Sequence, residues 1–443
     1  MRREFKDKFF AFMVKDTGVG HNHMHPMSVL LICQTYPPVI GGSEIEAQRV
    51  CEGLIARGHH MQVVCAGGHP MPPVRDWVDP KGVPVRIYAA GRKGKMRDRI
   101  FALRVAGMLI RERKNYEVAY FLMHGLHLAV GLPVARMLRK PIVMKIACSG
   151  VISEMRKSLV GRMELFFLKR WAARILVLNP GMMEEALKEG FDKGKISWMP
   201  NPVDTDYFRP VATNQRGAFR KELNIPEDAS LVVFIGRLHS QKKIPWMLRG
   251  FARVAQERPR AMLALIGDGP LRSEIRALVR LLNIEDKVIF AGAVSTDTVL
   301  KWNQVADICA LVSEVEGLPC SLIESMSAGV PPVLSNIPAH TQLVENEVHG
   351  LITEVGDEES IARGLQRTID DRELRDRMSA AARQRMIDVY STAKVVDRYE
   401  SLFSSALDGN RRPDEVLAVG TTSRDESLRT AFAASKERER YKS

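Results

Sequence analysis

Two glutamates separated by seven residues are the first candidates for chemistry in this sequence. Glu316 follows a short apolar run that predicts a buried parallel strand, and Glu324 falls in the second turn of the helix predicted between Pro319 and Gly329. The first amides of a helix have no internal partners and lie at the positive end of its dipole, so they can bind a phosphate. Carboxylates are repelled by a phosphate and must contact neutral, hydroxyl-bearing groups instead. A sugar on one side of a diphosphate and a ribose on the other would satisfy both glutamates.

Positive charges suited to a diphosphate occur in the loop after another predicted strand, residues 231–235. Arg237 offers a forked set of donors, and Lys242 offers a compact charge. A basic pair in a loop is commonly only a solvated surface feature, so the assignment depends on the two glutamates. Asp204 and Asp206 form an Asp-x-Asp pattern, which holds divalent ions in other proteins. Because they fall in a turn-rich linker and the basic residues can neutralise the phosphates, we predict no metal site.

Strands and helices alternate along most of the chain, which predicts parallel sheets with right-handed crossovers. At 443 residues the chain is too long for one hydrophobic core and suits two domains of about 200 residues each. Loops that follow parallel strands meet at one edge of the sheet, where ligands bind. The strands are predicted at residues 28–33, 62–65, 83–88, 118–122, 142–146 and 174–178 in the first half, and at 231–235, 263–266, 287–290 and 308–312 in the second.

The segment around the glutamates resembles the donor motif of retaining glycosyltransferases of the GT-B fold, glycosyltransferase family 4 (glycosyl transferases group 1). The family pattern is E-G-x-G-x-x-x-x-E followed by A-M-A-x-G-x-P, and this sequence has EGLPCSLIE followed by SMSAGVP. Pro319 stands where the family has its second glycine. The segment GRLHSQK, from Gly236 to Lys242, also matches, although Lys243 replaces the glycine that usually follows. The resemblance extends over residues 28–407.

This resemblance implies an α/β protein of the GT-B fold, with two Rossmann-like, doubly wound parallel-sheet domains that face an interdomain cleft. It implies transfer of a sugar from a nucleotide-diphosphate sugar (a UDP- or GDP-sugar) to an acceptor hydroxyl, with the anomeric configuration kept and no metal required. We expect the acceptor to be a cell-envelope lipid or a growing surface polysaccharide. The expected organisation is a disordered leader at 1–27, an acceptor-binding domain at 28–200, a donor-binding domain at 201–390, a helix crossing back to the first domain at 391–407 and a disordered tail at 408–443.

The resemblance also assigns residues to the site. Those expected to act in catalysis are Glu316 on the transferred sugar, Arg237 and Lys242 on the leaving diphosphate, and His124, which matches the second histidine of the family's H-x-H-G segment. The segment Ala147-Cys148-Ser149-Gly150 lies where many relatives have a histidine before the glycine, and Pro202 replaces a glycine of the interdomain segment. The remaining donor-binding candidates, besides Arg237, Lys242 and Glu316, are Gly41, Gly42, Gly236, Gly267, Gly292, Val294, Gly317, Ser321, Leu322 and Glu324.

The glycine pair of the first domain precedes a predicted helix, and this again builds a loop that can receive an anion. Ser43 and Glu46 predict a capping box at the start of that helix, in which each side chain satisfies a free amide. A glycine pair alone occurs in many turns. Its role opposite the donor phosphates is therefore what the resemblance implies.

The charge of the chain is concentrated in its first half. The net charge is +13, and residues 1–200 carry 32 Lys and Arg against 17 Asp and Glu. This predicts an anionic partner, either a membrane surface or an acidic acceptor. Nucleic acid is not expected, because no recognition motif accompanies the charge. Residues 92–114 and 159–171 are basic with apolar centres; they could lie on an anionic membrane face or be ordinary helices packed on the sheet, and the second is the simpler interpretation.

No apolar run approaches the roughly 18 residues of a membrane span, the first residues lack a secretory signal pattern, and the six cysteines lack paired spacing. We therefore expect a cytoplasmic protein with reduced cysteines, with peripheral association at the inner face of the membrane as a further option. Two alternatives to a transferase remain open. One is a hydrolase or epimerase acting on nucleotide sugars, and the other is a catalytically silent sugar-nucleotide-binding protein.

Overall fold

The computed structural model describes residues 25–39, 41–67, 76–88 and 94–409. Within these ranges the chain forms two parallel sheets packed against helices, so the predicted α/β architecture of two Rossmann-like domains is confirmed. Of the predicted leader the structure describes only residues 25–27, and of the predicted tail only residues 408–409. Met27, which we assigned to the leader, is buried, and its amide donates to Nδ1 of His59 at 3.1 Å.

Eight strands form the sheet of the first domain. They are β1 (Ser28–Cys33), β2 (His60–Cys65), β3 (Asp76–Val78), β4 (Pro84–Ile87), β5 (Val118–Leu122), β6 (Ile142–Lys145), β7 (Arg174–Val177) and β8 (Ile196–Trp198). Their order is β3-β4-β2-β1-β5-β6-β7-β8, and all neighbours are parallel except β3 and β4. We predicted neither edge strand, because both are only three residues long and lack a strong apolar pattern.

Helices cover both faces of this sheet. Side chains alternate along β1, so Leu30 and Ile32 enter one core while Val29 and Leu31 enter another. The helices are α1 (Gly42–Ala56), α2 (Gly94–Arg111), α3 (Leu126–Met137), α4 (Val151–Arg156), α5 (Leu159–Trp171) and α6 (Pro180–Glu189). The buried residues of α2, α3 and α5 belong to the first of these cores, and those of α1 belong to the second.

The second domain has a six-stranded sheet. Its strands are β9 (Ser230–Ile235), β10 (Ala261–Ile266), β11 (Val288–Gly292), β12 (Ile308–Leu311), β13 (Pro332–Ser335) and β14 (Leu351–Thr353). The order is β11-β10-β9-β12-β13-β14, with parallel neighbours throughout. Its helices are α7 (Thr213–Glu222), α8 (Ile244–Glu257), α9 (Arg272–Leu281), α10 (Thr296–Val305), α11 (Cys320–Ser327), α12 (Pro338–Thr341), α13 (Glu358–Asp370) and α14 (Arg372–Arg385).

The last helix, α15 (Thr392–Leu407), returns to the first domain and packs against α1 and β5. Its apolar side chains, among them Val396 and Phe403, enter the core that lies under α1. Where the chain crosses between domains, the amide of Val203 donates to the carbonyl of Tyr390 at 2.8 Å, and the amide of Thr392 donates to that of Val203 at 2.9 Å. The two interdomain connections are therefore hydrogen-bonded to each other.

Candidate active site

Both sheets place candidate residues at the point where the strand order changes direction. In the second sheet β9 and β12 are neighbours, and the chain leaves them towards opposite edges. Lys242 follows β9 and Glu316 follows β12. In the first sheet β1 and β5 stand in the same relation, with Gly42 after β1 and His124 after β5. Open parallel sheets bind ligands in the crevice beyond the carboxyl ends of strands at such switch points.

Lys242 and Glu316 form an ion pair between two loops of the second domain. Nζ of Lys242 lies 2.6 Å from Oε1 of Glu316, and Oγ of Ser313 donates to the same oxygen at 2.6 Å. The two side chains keep 18% and 11% of their exposure, so the pair is shielded from bulk water yet still reachable. The structure thus brings a cation and a carboxylate of the predicted site into direct contact.

Three glycines end neighbouring strands beside this pair. The amide of Gly267 donates to the carbonyl of Gly292 at 2.7 Å, and that of Gly236 donates to Ile266 at 2.9 Å. A Cβ atom on Gly267 would lie 2.0 Å from the carbonyl oxygen of Gly236, at a φ of +131°. Only glycine permits this approach. Val294, beyond Gly292, is half-buried and packs on the core.

The loop after β9 has two further basic residues with different surroundings. Arg237 is exposed, and no acidic group within the described ranges forms an ion pair with it. Lys243 pairs with Glu314, its Nζ lying 2.9 Å from Oε2. The backbone of Lys243 has a φ of +48°, in the left-handed region that favours glycine. The lysine therefore keeps the conformation that suits the glycine usual at this position.

The start of α11 differs in detail from the prediction. Pro319 precedes the helix as its N-cap residue, and the helix itself begins at Cys320. The amide of Leu322 donates to the carbonyl of Pro319 at 3.1 Å, so it is not free to bind a phosphate, contrary to our expectation. The amide of the half-buried Ser321 has no acceptor among the described residues. This leaves Ser321 as the better anion-binding position.

The loop that carries Glu316 is held from both domains. Oγ of Ser149 donates to the carbonyl oxygen of Glu316 at 2.6 Å, and Nδ2 of Asn179 donates to that of Gly317 at 2.7 Å. A Cβ atom on Gly317 would lie 2.5 Å from the carbonyl oxygen of Ala147. Gly317 therefore allows the first domain to approach the backbone of the glutamate loop.

Glu324 lies between the domains, paired with an arginine that the sequence did not single out. Its Oε1 accepts from Nη2 of Arg49, in α1, at 2.6 Å, and Arg49 also donates to the carbonyl of Pro202 at 3.1 Å. Burial raises the pKa of Glu324, and the charge of Arg49 acts in the opposite direction. Close by, Sγ of Cys320 donates to the carbonyl of Gly42 at 3.4 Å. Gly42 of the first domain thus lies against the start of α11.

The predicted capping box at the start of α1 is wrong. Gly41 is the N-cap residue, so Ser43 already lies within the helix. No side chain caps this helix end. Glu46 turns into the core, where its Oε1 lies 2.6 Å from Nζ of Lys145 and accepts from the hydroxyl of Tyr399 at 2.8 Å. The competing partner is a fully buried lysine, and a lysine inside the apolar run 142–146 was the signal that could have revealed it.

His124 lies at the carboxyl end of β5, in the first domain. Its Nδ1 is 3.8 Å from Oε2 of Glu164, whose Oε1 accepts from the amide of Gly125 at 2.8 Å. Burial lowers the pKa of His124 and raises that of Glu164 to about 7. In the described part of the chain, no hydrogen bond or ion pair joins His124 to Lys242 or Glu316. The structure places the histidine in the opposite domain from that pair.

His340, in α12, is a further residue beside the pair, in the segment that follows β13. It is buried, its Nδ1 lies 3.0 Å from the carbonyl oxygen of Ser335, and burial lowers its pKa to about 4. The charge of Glu316 acts to raise that pKa, and the charge of Lys242 acts to lower it. A neutral imidazole therefore backs the ion pair.

Asp204, the first aspartate of the Asp-x-Asp pattern, accepts hydrogen bonds from the backbone. Oδ1 of Asp204 accepts from the amides of Asp206 and Tyr207 at 3.1 and 2.9 Å, which closes a turn. Across the described residues, no three His, Cys, Asp or Glu side chains are placed to share a metal ion.

The six cysteines are unpaired. Within the same residues, no helix combines the length and the apolar character needed to cross a bilayer.

Comparison with known proteins places this geometry in a family. Residues 215–385 match the family model for glycosyl transferases group 1, and residues 41–202 match that for the glycosyl transferase 4-like domain. An uncharacterized glycosyltransferase of Methanocaldococcus jannaschii is 25% identical over 86% of this chain and 99% of its own length. The UDP-Gal:alpha-D-GlcNAc-diphosphoundecaprenol alpha-1,3-galactosyltransferase of Escherichia coli is 28% identical over 54% of this chain and 61% of its own.

Among solved structures, the Anabaena protein HepE in complex with UDP and glucose superimposes with a TM-score of 0.73, at 18% identity over 86% of this chain and all of that one. At that identity the similarity concerns the fold. The two family models are consecutive and correspond to the two sheets described above. The chain therefore belongs to the glycosyl transferases group 1 family and is a GT-B glycosyltransferase of the family 4 type.

Proposed function

We propose that this glycosyltransferase moves a sugar from a nucleotide-diphosphate sugar to an acceptor hydroxyl with the anomeric configuration retained. The observation that carries the proposal is the Lys242–Glu316 ion pair at the switch point of the second sheet. A cation and a carboxylate at one strand-end crevice suit a ligand that joins a diphosphate to a hydroxyl-bearing sugar.

The leaving diphosphate would lie against the loop after β9 and the start of α11. Lys242 and the exposed Arg237 supply charge, and the amide of Ser321 supplies a donor at the positive end of the helix dipole. Negative charge grows on the diphosphate as the glycosidic bond breaks. Fixed cations and amides aimed at that position stabilise the transition state.

Two carboxylates and a histidine would hold the remainder of the donor. Glu316, fixed by Ser313, would accept from hydroxyls of the transferred sugar, and Glu324 would accept from the ribose through the oxygen that Arg49 leaves free. His124 would face the transferred sugar from the first domain. The backbone of Gly292 and Val294 would lie along the base, as the strand-end position of β11 permits.

The reaction would proceed without a covalent sugar–enzyme intermediate. The bond between the anomeric carbon and the diphosphate oxygen breaks, and the acceptor oxygen bonds to that carbon from the same face. The acceptor proton passes to an oxygen of the departing phosphate. No step in this scheme requires a metal, because Lys242 and Arg237 neutralise the charge.

The relatives support a nucleotide sugar as donor and a cell-envelope glycan as product. The name of the Escherichia coli relative specifies a UDP-sugar and a lipid-diphosphate-linked acceptor, and the Anabaena structure contains UDP and glucose. We infer a UDP- or GDP-sugar as donor and a lipid-linked or polysaccharide hydroxyl as acceptor. We propose that the protein acts in the cytoplasm, at the inner face of the membrane where such an acceptor is lipid-linked.

The test begins with thermal shifts of the purified protein against UDP-, GDP- and ADP-sugars, followed by turnover assays with lipid-linked and polysaccharide acceptors in the presence of EDTA. The anomeric configuration of the product is read by NMR. We expect turnover with EDTA present and retention at the anomeric carbon. Released free sugar would point to a hydrolase, an altered nucleotide sugar to an epimerase, and binding without turnover to a silent binding protein; each result refutes transfer.

The loop after β9 offers matched controls for the site residues. Lys242→Ala and Glu316→Gln should each lower kcat by about 100- to 1000-fold. Lys243→Ala and Glu314→Gln remove the neighbouring ion pair, which is more exposed, and should leave kcat unchanged. Equal losses in all four variants would show that the Lys242–Glu316 pair has no special role.

A further inference from the structure

One layer of helices on the first domain carries most of the large apolar side chains that are exposed. Thirteen large apolar side chains are exposed in the described part of the chain, and eight of them lie on α2, α3 and α5. Exposure concentrated in this way marks an interaction surface, whereas scattered residues do not. The eight are Met96, Leu103 and Ile110 on α2, Met137 on α3, and Leu159, Val160, Met163 and Phe166 on α5.

On α5 the exposed residues share one side of the helix. Leu159, Met163 and Phe166 follow the spacing i, i+4, i+7, and Leu159 and Phe166 are 70% and 63% exposed. Leu165 and Leu168, on the other side, are buried in the core. The helix is therefore apolar on two sides, and its packing on the sheet accounts for only one of them.

On α2 a second apolar stripe is exposed. Met96, Leu103 and Ile110 are seven residues apart and so lie on one side of the helix, opposite the buried Phe101 and Val105. α2 packs against α3, and α3 packs against α5. Because the buried sides of all three helices enter the same core, their exposed sides face away from the sheet together.

The same layer carries positive charge. Its three helices together contain 9 Lys and Arg against 2 Asp and Glu, a net charge of +7. Several of these cations have no acidic partner within the described residues: Arg99 and Arg104 on α2, and Arg162 and Arg170 on α5. The exposed apolar residues are thus interleaved with unpaired arginines.

We propose that the α2–α3–α5 layer docks on the surface of an anionic lipid bilayer. Leucine, methionine and phenylalanine side chains would enter the interface between headgroups and acyl chains, and the arginines would bind lipid phosphates. A bilayer surface can bind exposed apolar side chains and arginines at the same time, over the whole area of the layer. Docking is peripheral, since no described helix can span the membrane.

This placement bears on the acceptor side of the cleft. α5, which exposes Phe166 outwards, directs Glu164 inwards to the amide of Gly125 and to within 3.8 Å of His124. The loop after β5 would therefore lie directly behind the docked surface. An acceptor anchored in the bilayer would reach the first domain without leaving the membrane.

The full-length protein tests the proposal by flotation with vesicles of phosphatidylcholine alone or mixed with phosphatidylglycerol, without any donor. We expect binding only to the mixed vesicles, and weaker binding in high salt. Leu159→Glu should weaken the partition coefficient by at least about tenfold, because it places a charge in the apolar interface. Leu281→Glu on α9 is the matched control, since Leu281 is 77% exposed on the second domain, and it should bind as the wild type does.

A second pair of variants separates charge from apolar contact. Arg162→Gln with Arg170→Gln should weaken binding, whereas Arg253→Gln with Arg280→Gln, two exposed arginines of the second domain, should not. The proposal is overturned if the protein does not bind anionic vesicles, or if test and control variants lose vesicle binding equally. It is also overturned if the protein binds a soluble polyanion but not the vesicles. The thermal shift with nucleotide sugars should be the same in all variants, so a failure here is distinguishable from a failure of the transferase assignment.

Discussion

Replacing Lys145 with methionine should destabilise the protein by about 3–5 kcal/mol. Nζ of Lys145 is fully buried, 2.6 Å from Oε1 of Glu46. It also lies 3.2 Å from the hydroxyl of Tyr399 and 3.3 Å from Oδ1 of Asn201. These partners come from α1, from α15 and from the segment between the domains. One ammonium group therefore holds the crossing helix and the interdomain connection to the first domain.

The magnitude follows from two opposing contributions. At an effective dielectric constant of about 20, unit charges 2.6 Å apart attract by roughly 6 kcal/mol, and burial of the ammonium costs several kcal/mol. The same opposition acts on the pKa of Lys145, which burial lowers and Glu46 raises. Methionine nearly preserves the volume, so the main loss is that Glu46 remains buried without a cation. Adding Glu46→Gln should recover most of the stability, because it removes that charge.

Urea unfolding followed by far-ultraviolet circular dichroism measures the effect. Lys188→Met is the matched control, since its ion pair with Glu184 has the same length of 2.6 Å but is 72% and 51% exposed. An exposed pair contributes little, so the control midpoint should equal that of the wild type. If Lys145→Met unfolds at the wild-type midpoint, or if the control loses as much stability, burial does not determine the strength of the Lys145–Glu46 ion pair.

Three further outcomes are expected. Arg49→Ala leaves Glu324 buried without its cation and should weaken binding of the nucleotide sugar, measured by titration calorimetry; unchanged affinity would separate the interdomain pair from the donor. Gly317→Ala places a methyl group 2.5 Å from the carbonyl oxygen of Ala147 and should lower kcat by about 100-fold through misplacement of the loop, with the melting temperature of each domain kept; wild-type kcat would contradict this. The pKa of Glu164 is raised from 4.5 to about 7, so its contribution to stability is complete below 4.5 and is lost as the pH rises through 7. Glu164→Gln is neutral throughout and should gain up to about 3 kcal/mol on the wild type between about pH 5 and pH 8, measured by urea unfolding at both values; a constant difference would refute the shift.

The contact between Lys242 and Glu316 could be predicted because its signals are local. Glu316 and Lys242 lie in loops whose flanking strands have clear apolar runs, and the strand order then brings those loops together. By contrast, Arg49 is separated from Glu324 by 275 positions, and its helix gives no sign of a partner in another domain. A pairing that depends on the relative position of two domains has no periodicity to reveal it.

Where local rules failed, a tertiary contact had replaced the local one. Glu46 stands at the correct spacing for a capping box, yet a buried lysine offers its carboxylate a stronger partner than a helix amide does. Leu322 was expected to present a free amide, but Pro319 extends the first turn and takes that donor. Both errors arise from treating a helix start as isolated from the chain around it.

The two domains hold different parts of the loop that carries Glu316. Lys242, from the second domain, holds the carboxylate of Glu316, whereas Ser149 and Asn179, from the first, hold the backbone of the loop. If the domains separated, the carbonyls of Glu316 and Gly317 would lose these partners and the loop would lose two of its fixed points. We infer that the loop keeps its present geometry only while the two domains are in contact. Donor binding and domain closure are then coupled equilibria, so a change that weakens closure must weaken donor binding even when each donor-binding side chain remains.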